Sequence, residues 1–202
     1  MLVETIMTAP VTTISPDDTI LATIDLVREK RIRHLPVIDG GKLSGIVTDR
    51  DLRPNDGTTV KEVMTAPVHF VHPLDSVAEV ARLMYEYKIG CLPVVRGAEV
   101  IGIVTETDIL RSFVELLGFN KPGSHLEVEM PDRPGMLAVI ADIIKEHGVN
   151  ITSVYTSQAE NQGRKVLVFR IQTIDLRAIV ADIIKAGYRV LWPLPKDEDL
   201  GK

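Results

Sequence analysis

The sequence contains few of the residues from which many catalytic and structural sites are built. Cysteine occurs once, at Cys91, which excludes an intramolecular disulfide framework and a cysteine-rich zinc site. Only 4% of the 202 residues are aromatic, and no apolar run approaches the roughly 18 residues that span a bilayer. The chain also lacks a basic surplus, because its formal net charge is −5 at pH 7. Nucleic-acid binding is therefore disfavoured.

Motifs that carry catalysis are absent as well. The sequence has no P-loop and no Gly-x-Gly-x-x-Gly, and it places no nucleophile at a convincing spacing from a base. The four residues His69, His72, His125 and His147 share no metal-ligand spacing. Glu4 stands where a signal peptide would be apolar. We therefore expect a cytoplasmic protein that is not an enzyme and has no catalytic cofactor, metal site or membrane partner.

An internal repeat organises the first half of the chain. The segments MTAPV, LPV and GIVT each occur twice in one register, at an offset of 57 residues (Met64 minus Met7) and without a gap. The matched pairs are Met7–Val11 with Met64–Val68, Leu35–Val37 with Leu92–Val94, and Gly45–Thr48 with Gly102–Thr105. This regularity indicates a duplicated structural unit.

Each copy is predicted to contain a strand, a helix, two strands joined by a turn, and a second helix. In the first copy, Asp17 or Asp18 can cap a helix that carries an apolar stripe. The glycines of Asp39–Gly41 favour a hairpin turn, and Arg96–Ala98 takes that place in the second copy. Because about 55 residues are too few for a comfortable core, we expect the copies to pack face to face, share one core and leave a ligand cleft between them.

The pattern changes after Gly118, where the breaker-rich segment 120–124 predicts a linker. The rest of the chain alternates strands with two helices in the order βαββαβ, which is a ferredoxin-like arrangement. The first of these helices is predicted to bury Leu137, Ile140, Ala141 and Ile144, and the second to bury Leu176, Ile179, Val180 and Ile183.

Two family resemblances follow from these motifs. The repeated unit resembles the CBS family over residues 1 to about 117. The motifs that carry this resemblance are Met-Thr-x-Pro-Val, His-Leu-Pro-Val or Cys-Leu-Pro-Val, and Gly-Ile-Val-Thr-x-x-Asp. Asp132–Leu137 and Gly148–Ile151 resemble two motifs of the ACT family. The predicted class is α+β, a tandem CBS pair of βαββα repeats followed by an ACT domain. The predicted boundaries are 1–57 and 58–118 for the repeats, 119–123 for a linker, 124–196 for the ACT domain and 197–202 for a tail.

The candidate ligand chemistry lies in a repeated Thr-x-x-Asp motif. Thr48 and Asp51 recur as Thr105 and Asp108, each pair where a strand is expected to lead into a helix. A carboxylate can accept two hydrogen bonds from a ribose diol, and a hydroxyl beside free helix amides suits a phosphate. The motif therefore predicts a nucleotide, although Thr-x-x-Asp is also a helix cap that needs no ligand.

The CBS resemblance implies where an adenine would lie. In that family the base sits between the first strand of a repeat and the segment around Leu-Pro-Val. The residues at those positions are Thr13, Ile14, Ser15, Arg33, His34 and Pro36 in the first copy, and Phe70, Val71, His72, Gly90, Cys91 and Pro93 in the second. Arg33 and His34 can face phosphates whereas Gly90 and Cys91 cannot, so we expect unequal sites.

The function predicted from these features is a regulatory sensor that binds AMP, ADP, ATP or S-adenosylmethionine and couples binding to the ACT domain. The domain order is similar to that of acetoin utilization proteins, which implies a role in acetoin or carbon metabolism. A homodimer and an unidentified regulated protein are the expected partners. Two alternatives remain: a docking subunit without a ligand, and an amino-acid sensor that uses the ACT residues Asp132, Pro134, Gly135, Leu137, Asn150 and Ile151.

Overall fold

The computed structural model describes residues 1–53 and 58–194. The chain divides into two compact units, Met1–Ser112 and the part from Phe113 onward. The end of the first repeat at residue 57 and the tail 197–202 fall outside the described residues, and the domain boundaries stay predictions. The α+β class is confirmed by the element order.

The first unit contains two copies of a helix followed by an antiparallel hairpin. The elements of the first copy are α1 (Ile20–Lys30), β1 (His34–Asp39) and β2 (Lys42–Thr48). Those of the second are α2 (Val60–Val63), α3 (Val77–Tyr87), β3 (Cys91–Arg96), β4 (Glu99–Thr105) and α4 (Glu106–Leu116). The predicted hairpin turn is confirmed in the first copy, where Gly40 and Gly41 have φ of +52° and +80°.

The prediction that Asp17 or Asp18 caps α1 is wrong. Thr19 is the N-cap, and its Oγ1 accepts the Ala22 N–H at 3.2 Å. Asp18 instead accepts the N–H of Ser15 at 2.8 Å and closes the turn before the helix. A carboxylate three residues beyond a free N–H prefers this local turn, so the hydroxyl next to the helix caps it.

The second predicted helix of the first copy does not begin where expected. Residues 49–53 form turns, whereas the equivalent residues of the second copy begin α4. The sequence accounts for the difference at Arg53, since a following proline disfavours helical backbone in the residue before it.

The two copies exchange their lead segments, which are residues 3–15 and 60–72. The Thr8 N–H donates to the Ile103 carbonyl of β4 at 2.8 Å, and the Thr65 N–H donates to the Ile46 carbonyl of β2 at 2.9 Å. Each lead segment then returns to its own copy, where Ile14 forms a parallel bridge with Val37. The hairpins of the two copies are thereby held side by side.

The expectation of one shared core is wrong. Val3 belongs to the core of the second copy and Val60 to that of the first, so each hairpin and helix has its own apolar cluster. A smaller cluster of Ile46, Cys91 and Ile103 joins the two. The exchange supplies each copy with apolar residues from the other lead segment, which compensates for its small size.

The second unit is a four-stranded antiparallel sheet with two helices. Its elements are β5 (Ser124–Pro131), α5 (Met136–Glu146), β6 (Ile151–Gln158), β7 (Arg164–Ile171), α6 (Arg177–Lys185) and β8 (Arg189–Trp192). The strand order β6-β7-β5-β8 confirms the predicted βαββαβ arrangement. Ile140, Ile144 and Ile183 are fully buried between the helices and the sheet.

One residue of the stripe predicted for α5 is wrong. Leu137 is 46% exposed, and Met136 is buried in its place. The helix begins at Met136 after the N-cap Gly135, whose φ is +88°. Ile140 and Ile144 follow Met136 at intervals of four residues, which places all three on one face.

We predict that Gly102→Ala and Gly45→Ala each destabilise the first unit by about 1–3 kcal/mol. A Cβ on Gly102 would lie 2.7 Å from the Met7 sulfur and 3.0 Å from the Thr8 carbonyl oxygen. The equivalent distances at Gly45 are 2.6 Å to Met64 and 3.1 Å to Thr65. Urea denaturation of each variant measures the effect, and unchanged midpoints for both would show that the exchanged segments are not tightly held.

Candidate functional site

The two Thr-x-x-Asp motifs have the same geometry. Asp51 Oδ2 accepts the N–H of Thr48 at 2.8 Å and its hydroxyl at 2.7 Å. Asp108 Oδ2 accepts the same two groups of Thr105 at 3.0 and 2.7 Å. Each threonine therefore engages one carboxylate oxygen of its aspartate. The local bonds orient the pair in the same way in both copies.

The second motif also caps a helix. The Thr105 hydroxyl accepts the N–H of Asp108 at 3.3 Å, which completes a reciprocal capping arrangement at the start of α4. Asp108 is buried, and its other carboxylate oxygen lies 3.4 Å from Arg111. Helix capping is thus a real role of this motif, and a ligand role would be additional to it.

Residues from both copies line a central cleft of about 440 Å³. Five of the predicted site residues lie there: Arg33, His34, Thr48, Gly90 and Thr105. Asp51 and Asp108 do not line it, but they bond to the threonines that do. The structure therefore brings together the predicted phosphate-facing residues of both copies in one cavity.

Six further residues line the central cleft, and the sequence interpretation missed them. They are Asp49, Arg50, Arg53, Lys88, Glu106 and Thr107. The signal was available, because the offset of 57 residues pairs Asp49 with Glu106 and Arg50 with Thr107, immediately after the two threonines. The cleft is consequently more cationic than expected, with Arg33, Arg50, Arg53 and Lys88 facing two acids.

The predicted adenine-facing residues divide into two groups. The main chains of Ile14 and Val71 pair with their own hairpins, since their N–H groups donate to the Pro36 and Pro93 carbonyls at 3.1 and 3.0 Å. These four residues are buried and hold the lead segments in place. A structural role accounts for all four.

The other adenine-facing residues lie nearer to the surface. The N–H groups of Ser15 and His72 are held by Asp18 and Asp75 at 2.8 and 2.7 Å. Thr13 and Phe70 point outward, with Phe70 60% exposed. Phe70 lines a second cavity of about 430 Å³ between the two copies. Thr13, Phe70 and His72 are exposed, so their side chains remain available to a base.

The electrostatic environment differs between equivalent positions of the two copies. Burial, followed by repulsion from Arg33, lowers the pKa of His34, while Asp49 and Glu106 act in the opposite direction and Arg50 adds to the lowering. At the equivalent position, burial raises the pKa of the Cys91 thiol to about 12. The Cys91 thiol and the His34 imidazole are therefore both neutral at physiological pH.

The predicted ACT ligand residues do not form one site within the chain. Asp132, Pro134, Gly135 and Leu137 follow the Pro131 end of β5. Asn150 and Ile151 lie at the other end of the sheet, because Ile151 and Ser124 both pair with Ile171. Seven residues of strand separate the two ends, which is roughly 23 Å.

Partners within the second unit account for two of these residues. Asp132 forms an ion pair with Lys165 at 3.0 Å, and the Asn150 side chain donates to Gln172 at 3.5 Å. Pro134 precedes the N-cap Gly135 and lies outside α5.

Two features of the described residues 1–53 and 58–194 bear on other functions. No group of three or more His, Cys, Asp or Glu side chains there is placed to hold a metal ion. None of the helices in those ranges is both long and apolar enough to cross a membrane.

We predict that the stability of the protein falls as the pH decreases through 6.5, and that His34→Gln makes this fall smaller. A histidine whose pKa is lowered on folding binds protons more readily in the unfolded chain, so acidification favours unfolding. Denaturant titrations of both proteins at about pH 7 and about pH 5.5 measure the slope. An equal slope in the two proteins would contradict the assignment to His34.

Comparison with known proteins gives the family. The CBS domain model matches residues 3–54 and 60–115, just over half of the chain, and the ACT domain model matches residues 124–187. A curated relative is the inosine-5'-monophosphate dehydrogenase of Korarchaeum cryptofilum, 41% identical over 109 residues. The match covers 52% of this chain but only 23% of that enzyme.

Three solved structures are similar over the CBS part. The CBS pair of protein MJ0100, in complex with 5'-methylthioadenosine and S-adenosyl-L-methionine, is 35% identical with a TM-score of 0.55 and covers 60% of this chain and 98% of its own. CBSX2 in complex with AMP is 29% identical with a TM-score of 0.54 and covers 56% and 96%.

The third is a putative acetoin utilization protein (AcuB) from Vibrio cholerae. It is 34% identical with a TM-score of 0.56 and covers 60% of this chain and 98% of its own. The CBS resemblance, inferred from the repeated motifs, and the ACT resemblance are both confirmed by the family models. The chain belongs to the CBS-domain family and carries two CBS domains followed by an ACT domain.

Proposed function

We propose that the CBS pair binds an adenine nucleotide in the central cleft and that binding regulates a partner activity. The observation that carries this proposal is the convergence of Thr48 and Thr105 on one cavity together with four cationic side chains. Guanidinium and ammonium donors suit a phosphate, and carboxylate oxygens suit ribose hydroxyls. The adenosine ligands of MJ0100 and CBSX2 support the same class of ligand.

The proposal is a binding function and not catalysis. CBS and ACT domains are regulatory domains, and the enzyme among the relatives is matched over only 23% of its length. Each threonine hydroxyl donates to an aspartate that also holds the threonine's own N–H, which is an arrangement for orientation. A ligand of micromolar affinity has about 8 kcal/mol of binding free energy, a fraction of which is enough to shift a two-state equilibrium.

We propose α4 as the route from the cleft to the ACT domain. Glu106 and Thr107 at the start of this helix line the central cleft. Just beyond its end, the Leu117 carbonyl accepts a hydrogen bond from the Ser153 hydroxyl of β6 at 2.8 Å. A ligand that changes the position of the first turn can therefore act on the ACT sheet through one continuous helix.

We further propose that the chain forms a homodimer. β6 lies at an edge of the ACT sheet and has eight residues, so its outer backbone groups can pair with a second copy. The similarity to AcuB supports a setting in acetoin or carbon metabolism. The amino-acid alternative loses support, because Asp132 and Asn150 lie at opposite ends of one sheet.

We predict that Arg33→Ala weakens AMP binding about tenfold, since one charge-assisted hydrogen bond contributes roughly 1.5 kcal/mol. Calorimetric titration of the full chain with AMP, ADP, ATP and S-adenosylmethionine measures the affinities. Lys30→Ala is the matched control, because Lys30 is an exposed cation at the end of α1 that does not line the cleft.

Absence of binding by all four ligands would overturn the proposal and favour the docking-subunit alternative. An equal loss in Arg33→Ala and Lys30→Ala would place the nucleotide outside the central cleft.

A further inference from the structure

Two half-sites meet in the central cleft. The first half-site is Arg33, His34, Thr48, Asp49, Arg50 and Asp51, and the second is Gly90, Cys91, Thr105, Glu106, Thr107 and Asp108. The Asp49 N–H donates to the Arg33 carbonyl at 3.0 Å, and the Glu106 N–H donates to the Gly90 carbonyl at 3.0 Å. The backbone therefore brings equivalent positions together in both half-sites, and the side chains at those positions differ.

The side chains of the first half-site are arranged for an anion. Arg33 and Arg50 line the cleft beside Thr48, and the imidazole of His34 lies with them. The acid of this half-site is compensated, because the Asp49 carboxylate pairs with Arg53 at 3.3 Å. A phosphate group placed here meets cationic donors and a neutralised carboxylate.

The side chains of the second half-site oppose an anion. Gly90 and Thr107 replace the two arginines, and the neutral thiol of Cys91 replaces the histidine. Within the described part of the chain, the Glu106 carboxylate lines the cleft without forming an ion pair. A Cβ on Gly90 would lie only 3.4 Å from the Glu106 carboxylate.

Two cations near the second half-site do not reverse this difference. The Lys88 ammonium lies 4.0 Å from the centre of the Tyr85 ring, in a cation–π contact. Arg111 is paired with the buried Asp108 at 3.4 Å. Both positive charges therefore already have an electron-rich partner.

We propose that the two half-sites select adenosine ligands of different charge. The first takes an adenosine phosphate, and the second takes an adenosine derivative that has no phosphate. This inference rests on the proposed function, since it assumes that both half-sites bind adenosine through their Thr–Asp pairs. The chain would then respond to two metabolites, one from each class.

The test is a competition titration of the full chain with AMP and 5'-methylthioadenosine. We expect 5'-methylthioadenosine to bind one equivalent when AMP is saturating, because the probes occupy different half-sites. The double variant Arg33→Gly/His34→Cys makes the first half-site resemble the second, and we expect it to weaken AMP binding at least about tenfold while 5'-methylthioadenosine binding changes less than about twofold.

A second variant tests the other half-site without altering the buried Cys91. Glu106→Gln removes the negative charge of this half-site, and we expect AMP then to displace 5'-methylthioadenosine from the second half-site. Displacement by AMP in the unaltered protein would overturn the inference and leave the proposed function intact. Absence of binding by both probes would instead contradict the proposed function.

Discussion

The exchange of lead segments between the two CBS repeats is the constraint on which the site depends. Backbone bonds from Thr8 to β4 and from Thr65 to β2 are possible only because Gly102 and Gly45 leave no side chain in the way. These bonds hold the two hairpins side by side. The ends of β2 and β4, and hence Thr48 and Thr105, consequently face one cavity. The cleft is a product of the exchange and not of either repeat alone.

Much of the fold could be predicted from the sequence because its signals are local. The helical stripes and the glycine turns depend on neighbouring residues, and the offset of 57 residues repeats them. Together they located α3, both hairpins and the βαββαβ arrangement of the ACT domain. The exchange could not be predicted in this way. It pairs Thr8 with a residue 95 positions away (Ile103 minus Thr8). A repeating pattern of apolar residues does not indicate such a contact. The error of one shared core follows from that omission.

The candidate site was predicted unevenly for a related reason. The motif residues Thr48 and Thr105 reach the cleft as expected and Glu106 follows directly after Thr105, but no motif marks Lys88, which is the C-cap of α3. Pro36 and Pro93 belong to the family motif, yet their carbonyls hold the lead segments. A motif marks which residues matter, whereas the three-dimensional contacts decide whether each one holds the fold or faces a ligand.

A crystal structure of the full chain with AMP tests the central claim most directly. The account predicts that the phosphate lies in the central cleft, with oxygens about 3 Å from the Arg33 guanidinium. The ribose hydroxyls should contact Asp51. Nucleotide density outside the cleft, or none at saturating AMP, would contradict the claim that the two repeats form a nucleotide site.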